Sequence, residues 1–156
     1  MLFRSKAIIS LGMGSDVHGV RVESRCINWV ENDKYCLPSE QRMVLDEGLA
    51  PKSILDIDLK KWDLDWIFSV FAALGIKYEP EVSTDANAFC CNALIFRTLQ
   101  ALERRGCRIP YIYLHLPCTA KAVKEIPGFD DNKDLTSVKR VHEILHVLLS
   151  SLPRVR

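Results

Sequence analysis

The chain has 156 residues, 48% hydrophobic and 26% charged, with 21 basic side chains against 20 acidic ones and a net charge of +1. That length fits a single domain over residues 1–156, able to bury roughly 68–70% of the surface its unfolded chain exposes. The balanced charge leaves no footprint for nucleic acid or an anionic membrane, and no apolar run reaches the ~18–20 residues that span a bilayer.

The apolar stretch around Ala7–Leu11 has Arg4 and Lys6 beside it but is too short for a signal peptide, so it belongs to the fold. Lys6–Leu11 reads as a buried strand stopped by a turn at Gly12-Met13-Gly14. From Val20 to Val30 the pattern alternates: Val20, Val22, Cys26 and Val30 share one face, with Arg21, Glu23 and Arg25 on the other. Residues 31–58 look irregular, a length usually functional. Leu59, Trp62, Trp66, Val70 and Leu74 predict a helical face ended by Gly75. A short strand over Lys77–Ser83 follows, then a helix from about Asn87–Phe89 to before Gly106, with Asp85 and Asn87 as candidate caps. Ile109–Leu116 predicts a strand, and Leu135–Leu152 a helix with Val138, Val141, Leu145, Leu148 and Leu152 as its stripe. The alternation of helices and strands from residue 59 predicts an α/β fold: three layers, α/β/α, around a mostly parallel central sheet.

Chemistry in such sheets gathers beyond the carboxyl ends of the strands. Cys91 falls in the first turns of a helix that follows a strand, where N–H groups and the helix dipole favour a thiolate and an oxyanion. His115 ends the next strand, within reach of a right-handed crossover. Spacing alone also fits a buried structural cysteine and a hydrogen-bonded structural histidine. The six cysteines, at 26, 36, 90, 91, 107 and 118, form no C-x-x-C pair, which fits thiols in a reducing compartment.

Three segments carry a family resemblance. Val82-Ser83-Thr84-Asp85-Ala86-Asn87-Ala88-Phe89-Cys90-Cys91-Asn92 resembles the nucleophile segment of pyroglutamyl peptidases. Ile112-Tyr113-Leu114-His115-Leu116-Pro117 is similar to their histidine segment. Ile9-Ser10-Leu11-Gly12, followed by Val20 through Glu23 to Ile27-Asn28, resembles their glutamate segment. The resemblance implies Cys91 as nucleophile, His115 as general base and acid, and Glu23 as the group orienting the imidazole. It places Gly12, Met13, Phe89 and Cys90 at the substrate. The implied protein is a cytoplasmic cysteine-type omega peptidase that releases N-terminal pyroglutamate (5-oxoproline) from peptides through a thioester. It would use no cofactor or metal, and homo-oligomeric assembly is a further expectation.

The chain departs from that family in starting at the strand before the glutamate segment, so the expected fold lacks the family's N-terminal β-α-β unit. Gly12-Met13-Gly14 stands where the family has a longer glycine-rich loop, Asn87 where it has glycine, and Asp33–Pro38 matches its counterpart poorly. An inactive or degenerate domain of the same fold is therefore an alternative. A remoter one is a zinc metallopeptidase built on His142-Glu143-Ile144-Leu145-His146, an H-E-x-x-H match. The helical stripe opposes it, because both histidines fall at the stripe's edge and no third ligand follows. Trp62 and Trp66 fit a core or oligomer contact, and His18 a surface loop.

Overall fold

The runs Ile8–Leu11 and Tyr111–Leu116 are rich in β-branched and aromatic residues, which suit a pleated surface. In the computed structural model they form parallel strands β1 (Ile8–Gly14) and β7 (Tyr111–Pro117). Between them in sequence come β2 (Arg21–Glu23), β3 (Arg25–Ile27), β4 (Val30–Glu31), β5 (Arg42–Met43), β6 (Ile54–Asp56), α1 (Leu64–Ala73) and α2 (Cys90–Arg104); α3 (Val138–Ser151) follows β7. The structure describes residues 6–14, 17–31, 42–85, 89–118 and 137–152. Asn87 and residues 32–41, with Cys36 and the Asp33–Pro38 stretch, lie outside them. The fold is mixed α/β, as expected.

The chain divides into two compact units. The first takes Met1–Val22, Asp58–Val82 and Pro110–Arg156. Its sheet runs in the order β1-β7-β2. The middle strand β7 is buried along its whole length, as a strand covered on both faces should be. The apolar cluster beneath it is built on Val22, Ile67, Phe71, Ile112, Leu114 and Leu148.

Several boundaries differ from expectation, each for a local reason. Gly12-Met13-Gly14 is not a turn but the last part of β1, paired with His115, Leu116 and Pro117. The expected helix from residue 59 begins with a 3-10 turn at Leu59–Lys61, and α1 starts only at Leu64, capped by the Asp63 side chain on Trp66 N–H. That break resets the helical phase, so Ile67 and Phe71 are buried while Leu74 is exposed. Gly75 does end the helix, at a φ of 63° that favours glycine. Lys77–Ser83 yields two isolated parallel bridges, Val20 with Tyr78 and Glu23 with Ser83, rather than a strand. Pro80 between them has no N–H to give a ladder. At the first bridge a Cβ on Gly19 would meet Tyr78 N at 2.8 Å, so only glycine fits without a shift.

The phase of α3 also moves. Ser137 caps it by accepting from Arg140 N–H, and its buried side is Ile144, Val147, Leu148 and Ser151. Val138, expected in the stripe, is 83% exposed. Trp62 is buried, and its indole Nε1–H donates to Tyr111 O at 3.1 Å.

The second unit takes Glu23–Ile57 and Ser83–Ile109. The continuous strand expected over Val20–Val30 is interrupted at Ser24 and at Asn28-Trp29. β3 pairs antiparallel with β6, and β4 with β5, so the region expected to be irregular supplies both partner strands. α2 packs on β3 and β4.

Candidate active site

Each candidate side chain is placed by its own unit. Glu23 and Cys91 belong to the second unit, and His115, Gly12 and Met13 to the first.

In the second unit, Glu23 sits at the end of β2 and is 2% exposed. Strand alternation put it on a polar face, yet it is buried. The bridge from Glu23 to Ser83 lays the segment leading to α2 beside it. Ser24 secures that segment twice, its N–H donating to Ser83 O at 3.0 Å and its Oγ to the same oxygen at 2.7 Å. α2 then starts at Cys90, with extended Phe89 as its N-cap and no capping side chain, so Asp85 does not serve as the cap. Phe89 O accepts from Ala93 N–H at 3.2 Å. Cys91 is half-buried in this first turn, while Phe89 (56%) and Cys90 are exposed. Desolvation pushes the Cys90 thiol up, and the neighbouring Cys91 adds to the rise, so Cys90 is a poor thiolate.

Two residues quoted only as part of a motif turn out to be structural hubs. Buried Asn92 accepts from Ile27 N–H at 2.8 Å and donates to Ile27 O and Trp29 O at 3.0 and 2.8 Å. Buried Asn28 accepts from Asp46 N–H at 2.7 Å and donates to the carbonyls of Asp46, Leu49 and Ala50. Asp46 in turn accepts from Arg104 at 2.9 Å and from the Gln100 amide. Nothing in a lone asparagine's neighbours signals such a role, because the same residue type marks turns and caps.

In the first unit, His115 lies on β7, 5% exposed, directly opposite Gly12 in the parallel register. Tyr113, two residues earlier and so on the same strand face, meets the imidazole edge-on, with ring centroids 5.1 Å apart at 77°. That contact limits how the imidazole can turn; the i, i+2 spacing is the signal that could have found it. Met13, next to Gly12 at the strand end, is 54% exposed. A shallow cleft of about 370 Å³ in this unit is lined by His18, Gly19, Ile76, Lys77, Tyr78 and Glu79 and contains none of the candidate residues.

His142 and His146 are both exposed on α3. Glu143 is engaged instead by Arg140 at 2.8 Å and Lys139 at 3.9 Å, on its own helix. Among the described residues, no three His, Cys, Asp or Glu side chains are grouped to hold a metal ion. No helix among them is long and apolar enough to cross a membrane.

No protein-family model and no curated protein matches the sequence. Solved structures do match. The pyrrolidone carboxyl peptidase from Thermus thermophilus aligns over 94% of this chain and 69% of its own, with a TM-score of 0.67 and 17% identity. That from the hyperthermophile Pyrococcus furiosus aligns over 94% and 68%, with a TM-score of 0.70 and 15% identity. That from the keratin-degrading bacterium Fervidobacterium islandicum AW-1 aligns over 97% and 70%, with a TM-score of 0.75 and 15% identity. The resemblance drawn from three short segments thus extends to the backbone: this chain has the fold of the pyrrolidone carboxyl peptidases.

Proposed function

We propose that the chain is a cysteine-type omega peptidase that releases N-terminal pyroglutamate from peptides. The observation that carries this reading is the likeness to pyrrolidone carboxyl peptidases over 94–97% of the chain, with Cys91 in the first turn of α2. In this reading the Cys91 thiol gives its proton to His115, and the thiolate attacks the carbonyl carbon of the pyroglutamyl residue. N–H groups at the start of α2 stabilise the oxyanion of the tetrahedral intermediate. His115 protonates the departing amine, leaving a thioester on Cys91, and then activates the water that hydrolyses it. Glu23 holds the imidazole in its productive orientation. Gly12, Met13, Phe89 and Cys90 line the substrate's approach, and the reaction needs no metal or cofactor.

Cytoplasmic residence belongs to the same proposal; none of the five described cysteines is in a disulfide, as a reducing compartment would have it. The test is release of a fluorophore from a pyroglutamyl amide by the wild-type chain, Cys91→Ala and Cys90→Ala, with and without a chelator. Release by wild type and Cys90→Ala, abolished by Cys91→Ala and indifferent to chelator, is expected. Chelator-sensitive release would favour a metal site instead, and no release from folded wild type would leave an inactive domain of this fold.

A further inference from the structure

β3 has two edges, and among the described residues only one carries a strand. Backbone groups of alternate residues point to opposite sides of a strand. Toward β6, Asn28 N–H donates to Ser53 O at 2.8 Å, and Ser24 O accepts from Ile57 N–H at 2.7 Å. Ile27, of the other parity, turns its groups the other way. There the Asn92 side chain accepts from Ile27 N–H and donates to Ile27 O and Trp29 O. Its amide supplies one acceptor and two donors, the pattern a neighbouring strand would offer.

We infer that Asn92 is a positioning residue for Cys91: by taking a strand's place on the open edge of β3, it fixes the rotation and depth of the first turn of α2. Successive helical residues point about 100° apart, so an Asn92 locked inward sets the direction of Cys91. The lock matters because the N-cap residue of α2, Phe89, has no side-chain oxygen to accept from the first-turn N–H groups. Asn92 is itself buried and acts only through its neighbour. The consequence for catalysis rests on the peptidase reading; the consequence for thiol reactivity does not.

The experiment compares the full-length wild type with Asn92→Leu, which keeps the volume and removes all three bonds, and Asn92→Ser, a neutral side chain too short to make them. Iodoacetamide labelling of Cys91 is followed against pH by mass spectrometry of the tryptic peptide Tyr78–Arg97, with Cys107 as internal reference. kcat and KM are measured on the pyroglutamyl amide. Expected are a displaced pH profile for Cys91 with Cys107 unchanged, and a fall of about 100-fold in kcat at constant KM, the scale of a displacement near 1 Å. Should Asn92→Leu fail to fold, Asn92→Ser decides by the same readouts. A folded variant with an unaltered Cys91 profile and kcat would overturn the inference. A wild type without hydrolysis would sink the peptidase reading, while the labelling profiles would still judge Asn92.

Discussion

The two units are held together by different physics. The first is an apolar cluster under the sheet β1-β7-β2, and among the described residues its buried polar side chains are His115 and Ser151. The second buries Glu23, Asn28, Asn92 and Gln100, and its short strands are fastened by side-chain amides as much as by ladders. An apolar core loses stability by degrees when atoms are removed, because neighbours relax part-way. A buried polar network loses it abruptly, since every broken bond strands a partner without water. In the proposed enzyme, the base therefore sits on an internal strand and the nucleophile on a helix whose first turn hangs from one asparagine.

Four substitutions or conditions sharpen that contrast. Phe71→Ala, at a fully buried position in the apolar cluster, should cost about 3–5 kcal/mol, read from urea unfolding. Asn28→Ala removes four hydrogen bonds and takes this partner from Asp46 N–H and Leu49 O, while Asp46 O and Ala50 O keep Leu49 N–H and Ser53; about 2–3 kcal/mol is expected, more than a polar-to-alanine change at a surface site would give. A loss under about 0.5 kcal/mol there, the scale of a surface substitution, would contradict the polar account of the second unit.

The third concerns pH. Burial pushes the Cys26 thiol up to about 12 from an ordinary 9.0, with the Asp56 charge adding to the rise and a hydrogen bond with the Leu55 backbone opposing it. Below about 9 the thiol is protonated in both folded and unfolded chains and adds no pH dependence. Above it the unfolded chain releases the proton first, so stability falls with rising pH until about 12. The slope from this group is at most about 1.4 kcal/mol per pH unit. Thermal melts between pH 9 and 10.5 should be flatter for Cys26→Ala than for wild type, and equal slopes would refute the assignment. Smallest is the bidentate pair of Arg21 with Glu79, at 2.6 and 3.2 Å and partly exposed. A double-mutant cycle should return under about 1 kcal/mol and shrink in salt.

Much of the fold was legible because apolar periodicity and glycine stops are local signals. α1, α2, β1, β7 and α3 all occur close to where the pattern predicts them. What was not legible depends on tertiary partners. Counting apolar residues assigned Val138 to the buried stripe of α3, but the buried side centres on Ile144, Val147 and Leu148. Alternation assigned Glu23 to a polar face, because it cannot register that both faces of a strand are covered. The glycines at 12 and 14 looked like a turn, though parallel pairing with β7 carries the strand through them. Asn28 and Asn92 stood in the segments that carried the resemblance, yet their work as hydrogen-bond hubs appears only once Asp46, Ile27 and Trp29 are brought to them.

The central claim is that Cys91 carries the acyl group. Acid-quenching the chain during turnover of a pyroglutamyl ester and weighing it intact tests this directly. The account predicts a pyroglutamyl adduct on wild type and on Cys90→Ala, and none on Cys91→Ala. An adduct that survives Cys91→Ala, or a folded and active chain that never acquires one, would contradict it.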